Sequence, residues 1–297
     1  MNLIVGNAAG TFSTILNYLA WMSIESIPDN NISLNFHWAN KTDFFGNTFY
    51  WYKKVKSDQV HKSLLERPNL INYFFNTKKN NLSEPFEEYI ESYPSISTDL
   101  ISDCPEFVWK GCGGSSISMY DDTLLLSNIR REYNKQWNKL IFSNDIQSKL
   151  NNELKILTGE KILTAMIRYT GHYIGANEFL ESTIEQIKFE LDKYDKVLLL
   201  TQVQEVFDIF TKIFGDRCIF PERKRILGDI DWKGGMGECM SDVEYVQEVK
   251  ECLIDVFLAS QTSHIISGAS NMFLGALIIN PRITYEIFDS LKPFNGA

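Results

Sequence analysis

The fold of this chain is decided by one stretch, Lys161-Ile-Leu-Thr-Ala-Met-Ile-Arg-Tyr-Thr-Gly-His-Tyr173. Its apolar, partly β-branched run at 162–167 predicts a buried strand, which ends in a polar cluster containing Arg168, Thr170 and His172. Ligands of open α/β sheets bind beyond the carboxyl ends of parallel strands, so an arginine one residue past such a strand is well placed to bind an anion. The alternative is a surface arginine that ends the strand or pairs with a carboxylate.

The sequence around and after this stretch alternates between strand and helix patterns. The predicted strands are 161–167, 196–200, 218–221 and 264–267, and the predicted helices are 178–194, 203–214, 243–260 and 269–277. A loop rich in glycine and basic residues, 223–240, interrupts the alternation. Strand followed by helix, repeated four times, predicts a parallel, right-handed, doubly wound sheet in the C-terminal half.

Two further strand ends in this half are polar. They are Thr201-Gln202 and Ser267-Gly-Ala-Ser-Asn271, the latter at the start of the last predicted helix. Backbone N–H groups, two hydroxyls and the helix dipole would make the second a good cradle for an anion. Ser270 as a simple N-cap explains the same pattern.

The N-terminal half begins with a predicted strand, Asn2-Leu-Ile-Val5, followed by Gly6-Asn-Ala-Ala-Gly10 and an apolar helical pattern. Glycines at such a turn let the backbone approach a ligand, and the helix start offers N–H groups to an anion. A tight turn with no ligand is equally consistent with the sequence, because neither the dinucleotide fingerprint nor the P-loop lysine is present.

An aromatic-rich stretch, Asp43-Phe-Phe-Gly-Asn-Thr-Phe-Tyr-Trp-Tyr52, follows a predicted strand at 32–38. Aromatic faces stack on sugar rings, and carboxylates or amides bond to sugar hydroxyls, so Trp38, Asp43 and Tyr50 are candidates for a sugar-binding surface. Packing beneath a loop explains the rings as well.

Two long helices are predicted at 123–139 and 145–157, and Gly159 ends the second. We place the domain boundary there. Asp121 and Asp122 precede the first helix, where an N-cap and first-turn role is favoured over catalysis.

Bulk composition restricts the class of protein. The 297 residues suffice for two domains of ordinary size, and 44% hydrophobic with 23% charged residues is typical of globular proteins. A net charge of −9 argues against general affinity for nucleic acid or anionic membranes. The five cysteines form no C-x-x-C pair, and we find neither a basic leader nor a long apolar run, so we expect a soluble, cytoplasmic protein with no transmembrane segment.

These motifs resemble the GT-B glycosyltransferases related to α1,6- and protein O-fucosyltransferases. The arginine element of that family, H-x-R-x-x-D after a strand, is similar to Met166-Ile-Arg-Tyr-Thr-Gly171, with Met166 and Gly171 in place of the histidine and aspartate. Three further stretches are similar to family motifs in order and spacing: Gly6-Asn-Ala-Ala-Gly-Thr-Phe12, Leu199-Leu-Thr-Gln202 and Ser267-Gly-Ala-Ser-Asn-Met272.

The resemblance implies an α/β fold of two Rossmann-like domains facing across a cleft. Residues 1–158 would bind a glycan acceptor and 159–297 a nucleotide sugar, with the last helix able to pack back on the N-terminal domain. The implied activity is inverting transfer of fucose, or a related deoxy or pentose sugar, from a GDP-linked donor, with no metal or other cofactor. The implied donor contacts are Gly6, Asn7, Gly10, Arg168, Thr170, Thr201, Ser267, Ser270 and Asn271, and Arg168 would stabilise charge on the departing nucleotide.

An inverting transfer also needs a base near the anomeric carbon. The resemblance favours Glu178, which also suits the first turn of a helix, whereas His172 titrates near neutrality at the strand end and Asp43 is a third option. Asp229-Ile-Asp231 matches the D-x-D pattern of metal-dependent transferases but lies in a late glycine-rich loop, so we discount it as a metal site.

The alternative function is a carbohydrate- or nucleotide-binding protein that keeps the fold and has no catalytic turnover. A sulfotransferase is disfavoured because the first glycine loop has no lysine.

Overall fold

The computed structural model describes residues 3–6, 11–25, 32–34, 54–56, 73–76, 88–91, 118–158, 161–167, 176–225 and 242–287. The chain divides into two compact units. Unit 1 comprises Met1–Ser148 and Asp242–Leu253, and unit 2 comprises Lys149–Ser241 and Ile254–Ala297. The first change of unit therefore falls inside a helix that begins at Asn144, ahead of the boundary predicted after residue 158.

The described part of unit 1 contains a four-stranded sheet and helices. In chain order its elements are β1 (Leu3–Gly6), α1 (Thr11–Met22), β2 (Ile32–Leu34), β3 (Lys54–Lys56), β4 (Glu88–Glu91), α2 (Ser118–Asp121) and α3 (Thr123–Trp137). The strand order is β2-β1-β4-β3, with β1 parallel to both neighbours and β3 antiparallel to β4. The predicted first strand and the helix after it are both present.

Helices α1 and α3 pack against each other through their apolar faces. Phe12 on α1 stacks on Trp137 at the end of α3, with 6.4 Å between ring centroids. The start of α3 is fixed by Asp122, whose carboxylate accepts a hydrogen bond from the Leu125 N–H at 2.8 Å. The predicted N-cap role of Asp122 is thus confirmed. The side chains buried on α3 recur at helical spacing: Leu125, Leu126, Ile129, Tyr133 and Trp137.

Unit 2 is built on a parallel sheet, as the alternating sequence predicts. Its elements follow α4 (Asn144–Glu153), which begins in unit 1. They are β5 (Ile162–Met166), α5 (Ala176–Glu190), β6 (Lys196–Leu200), α6 (Gln204–Phe214), β7 (Cys218–Ile219), α7 (Asp242–Ser260), β8 (His264–Ser267), α8 (Asn271–Ile279) and β9 (Thr284–Ile287). The part of α7 up to Leu253 belongs to unit 1. The strand order is β7-β6-β5-β8-β9, and every pairing is parallel.

Strand β5 lies at the centre of this sheet, and its five residues are all buried. A parallel sheet covered on both faces needs such continuous apolar strands. On one side, α6 packs on the sheet through Val206, Phe210 and Phe214, which lie one helical turn apart. Helix α8 is buried from Phe273 to Ile278, in keeping with its apolar sequence.

Unit 2 differs from the sequence prediction in one strand and in several element bounds. Strand β7 ends at Ile219 instead of at 221, and α8 spans Asn271–Ile279 instead of 269–277. Strand β9 was not predicted; it lies at the edge of the sheet, and its residues are exposed or half-buried. The helix predicted at 178–194 begins at Ala176 and ends at Glu190, after which Leu191–Lys193 form a 3-10 turn. Among the residues that the structure describes, no helix is long and apolar enough to cross a membrane.

Candidate functional site

In unit 2, three neighbouring parallel strands end in register, so their carboxyl ends lie at the same edge of the sheet. Met166, the last residue of β5, pairs with Leu200 at the end of β6 and with Ser267 at the end of β8. The Ile167 N–H then donates to the Leu200 carbonyl at 3.0 Å, which keeps the chain at this edge. Arg168 is the next residue in the sequence, although it lies outside the described residues. Ligands of open parallel sheets bind at this edge, so we take it as the candidate site.

The Ser267 hydroxyl ties two of these strand ends together. The side chain is buried, with 2% of its surface exposed, and its Oγ donates to the carbonyl oxygens of Met166 at 3.1 Å and Gly268 at 2.9 Å. The hydroxyl proton is therefore used inside the protein. The donor contact predicted for Ser267 stays a prediction, and the observed bonds give this residue a part in holding β5 and β8 in register.

Thr201 begins the polar segment after β6. Its buried Oγ1 accepts a hydrogen bond from the Val203 N–H at 3.2 Å, which orders the turn that leads into α6. This local bond is typical of threonine at the start of a helix. It positions Thr201 at the same edge of the sheet as Met166 and Ser267.

The N-terminus of α8 lies just beyond the end of β8. Ser270 has an extended backbone and is the N-cap, with its Oγ accepting from the Phe273 N–H at 3.1 Å. The N-cap interpretation of Ser270 is confirmed. It is compatible with the predicted anion cradle, because the positive end of the helix dipole still faces the carboxyl edge of the sheet. Asn271 is the first residue of this helix, in the position where an N-terminal anion contact would be made.

The candidate general base Glu178 lies in the first turn of α5. A glutamate in this position is favoured by the helix dipole, so its place in the helix fits either a structural or a catalytic role. Gly6 is the last residue of β1. The other predicted site residues lie outside the described residues: Asn7, Gly10, Trp38, Asp43, Tyr50, Arg168, Thr170 and His172.

A buried arginine with two carboxylates follows β7 and was not predicted. Arg223 donates to Glu153 Oε1 and Oε2 at 2.9 and 2.5 Å, and to Asp255 Oδ1 at 3.0 and 2.6 Å. Burial by itself lowers the pKa of Arg223, but the carboxylates of Asp255 and Glu153 raise the pKa above its ordinary value. The triad fastens the segment after β7 to α4 and α7. The partners are 70 and 32 positions away in sequence, so no local motif indicates them.

Comparison with known proteins bears on the fold. No family model and no curated protein matches the sequence. The crystal structure of the fucosyltransferase NodZ from Bradyrhizobium superposes with a TM-score of 0.52 at 13% identity, covering 97% of this chain and 95% of that one. The chain has the fold of NodZ.

Two more NodZ crystal structures extend the comparison. The α1,6-fucosyltransferase soaked with GDP-fucose matches with a TM-score of 0.51 at 15% identity, covering 98% of this chain and 96% of that one. The structure co-crystallised with GDP has the same TM-score and identity, and covers 97% and 94%. The predicted resemblance to GT-B fucosyltransferases is confirmed at the level of fold. A shared fold does not carry the activity with it, so function has to be argued from the site.

Proposed function

We propose that the protein is a glycosyltransferase that moves fucose from GDP-fucose to a glycan acceptor, with inversion and without a metal. The observation that carries the proposal is that β5, β6 and β8 end at the same edge of the sheet, because Arg168 stands two residues after the last residue of the central strand in the sequence. NodZ, whose fold the chain shares, has been studied with GDP-fucose and with GDP.

The roles of the residues follow from the chemistry of the transfer. An acceptor oxygen bonds to the anomeric carbon while the bond from that carbon to the diphosphate breaks, and GDP leaves with the electron pair. Arg168 binds the diphosphate and stabilises the negative charge that grows on it. The N-terminus of α8, with Ser270 and Asn271, supports the same phosphates through its dipole and N–H groups. The positive charge and the dipole thus act where the transition state gains charge.

The acceptor hydroxyl loses its proton in this step. Glu178 takes the proton in our proposal, with His172 and Asp43 as the other candidates. Aromatic faces of Trp38 and Tyr50 would hold the acceptor sugar by stacking. Substituting each candidate base separately would identify the one whose loss lowers the rate constant without weakening donor binding.

The test of the proposal is release of GDP from GDP-fucose in the presence of a panel of glycan acceptors. Arg168→Ala should lower the rate by ~10²-fold or more, because it removes charge stabilisation from the leaving group. Arg282→Ala is the matched control, since Arg282 is exposed in the segment before β9. Addition of EDTA should leave the wild-type rate unchanged. Transfer from a uridine-linked donor in preference to GDP-fucose would contradict the proposal.

A catalytically inactive nucleotide-binding protein is the second candidate. The observation that favours it is the pair Met166 and Gly171, which stand where the related fucosyltransferases have histidine and aspartate. This alternative is supported if the wild type binds GDP but releases none from GDP-fucose, and if Met166→His with Gly171→Asp creates that activity.

A further inference from the structure

Arg225 is a cation held by aromatic rings. Its guanidinium carbon lies 3.8 Å from the centroid of the Phe207 ring and 5.4 Å from that of Phe220, and the two rings meet edge to face at 4.5 Å. Among the described residues, its Nη1 and Nη2 donate only to the carbonyl oxygens of Arg223 and Pro221, both at 3.4 Å, which is long for such bonds. Its Nε is buried and has no hydrogen-bond partner in the described part of the chain.

The neighbouring Arg223 is a structural arginine, and its contacts can be compared with those of Arg225. Arg223 is paired with two carboxylates at 2.5 and 2.6 Å, and its pKa is raised by them. Arg225 makes no ion pair with any carboxylate of the described residues, although Asp255 and Asp208 lie near enough to influence it. Burial lowers the pKa of Arg225, and the guanidinium of Arg223 lowers it further. The chain carries 38 acidic against 29 basic residues, so carboxylates are not scarce.

The position of Arg225 matters as much as the absence of an ion pair with a described carboxylate. It lies six residues beyond Ile219, the last residue of β7, and β7 runs parallel to β6. Phe207 lies in the first turn of α6, the helix that begins just after the carboxyl end of β6. Arg225 therefore lies on the side of the sheet where Met166 and Ser267 end. β7 is two strands from β5, about 10 Å at the usual strand spacing.

Stacking on rings explains part of this arrangement. A cation over an aromatic face gains ~0.5–2 kcal/mol, which offsets some of the cost of removing the guanidinium from water. The rings do not accept hydrogen bonds in the plane of the guanidinium, so the N–H bonds of Nη1 and Nη2 that do not point at the two carbonyl oxygens keep their capacity for an anion. Stacking also fixes the orientation of the group, which reduces the conformational entropy lost when an anion binds.

We propose that Arg225 is an anion-binding residue that contacts phosphate oxygens of the donor diphosphate from the β7 side of the sheet. The proposal rests on the proposed function for the source of the phosphate, whereas the anion site itself rests only on the contacts of Arg225. Planar guanidinium donors match phosphate oxygens in pairs, which an ammonium group cannot do.

The test is isothermal titration with three probes: GDP, inorganic pyrophosphate and guanosine. Arg225→Gln should weaken binding of GDP and of pyrophosphate by ~10-fold or more, because charge-assisted hydrogen bonds are lost, and should leave guanosine binding unchanged. Arg282→Ala is again the control, and it should bind all three probes as the wild type does. Arg225→Lys keeps the charge but loses the planar pair of donors, so we expect intermediate binding of the two phosphate probes. This variant decides the question if Arg225→Gln fails to fold.

The outcomes separate this inference from the proposed function. Wild-type affinity for GDP and pyrophosphate in the folded Arg225 variants overturns the inference, as does a wild type that binds neither probe. Pyrophosphate binding that depends on Arg225, in a protein that releases no GDP from GDP-fucose, leaves the anion site in place and removes the fucosyltransferase assignment. The reverse result, GDP release that is indifferent to Arg225, keeps the activity and removes the site.

Discussion

Replacing Arg223 with methionine should destabilise unit 2 by about 3–5 kcal/mol, the usual cost of leaving a buried charge without its partner. The Arg223 side chain is only 4% exposed, and those of Glu153 and Asp255 are 16% and 12% exposed, so water replaces few of the lost bonds. Five hydrogen bonds between 2.5 and 3.0 Å disappear together, four to the two carboxylates and one to the Glu222 carbonyl oxygen. Methionine preserves most of the apolar volume, so the loss reports on charge and hydrogen bonding rather than on a cavity.

Native-state hydrogen exchange of the amides in β5 and β6 measures this effect, because it gives the free energy of opening for unit 2 itself. The control is Lys135→Met, which breaks a pair with Glu132 whose side chains are 58% and 22% exposed. Such a surface pair contributes only ~0.2–1 kcal/mol. A loss in the Arg223 variant no larger than that of the control would refute the reasoning. Neutralising both carboxylates as well, with Glu153→Gln and Asp255→Asn, should recover part of the lost stability.

Three further predictions concern stability and reactivity. Asp122→Ala should lower the free energy of unfolding by ~1 kcal/mol in urea titrations, because α3 loses its cap, whereas Asp122→Asn should cost much less. Burial lowers the pKa of His264 below that of an unfolded histidine, so the stability contributed by the neutral ring is complete above pH ~6.5 and falls as the pH drops below that. His264→Gln should therefore make the melting temperature depend less on pH in thermal melts between pH 5 and 8. Burial raises the pKa of the Cys218 thiol to about 11, so iodoacetamide at pH 8 should alkylate it only in the unfolded protein, as mass spectrometry would show.

The central strands of unit 2 could be predicted from the sequence alone. β6 and β8 have the predicted bounds, and β5 differs by one residue at each end. Strands buried on both faces appear as short, continuous apolar runs, which are easy to distinguish from the amphipathic helices between them. Strand β9 has no such run, because an edge strand needs only partial burial, and its Thr-Tyr-Glu-Ile sequence mixes polar with apolar residues.

The contacts of the candidate site were harder to predict. The bond from Ser267 to the Met166 carbonyl depends on the register of β5 with β8, which the sequence does not state. The role of Ser270 was predictable as one of two options because an N-cap has a local pattern. The two rings that contact Arg225 come from different segments, Phe207 from α6 and Phe220 from the residues after β7. The sequence indicated only a loop rich in glycine and basic residues at this place, and not these contacts. Interactions between distant segments give no periodic signal.

The most direct test of the account is hydrogen exchange with and without GDP, followed peptide by peptide. A nucleotide bound at the carboxyl edge of the unit 2 sheet should slow exchange at 162–173 and 267–273, and Arg168→Ala should abolish that protection at the same GDP concentration. Protection confined to peptides elsewhere, or no protection by GDP at concentrations that saturate its binding, would contradict the assignment of this edge as the donor site.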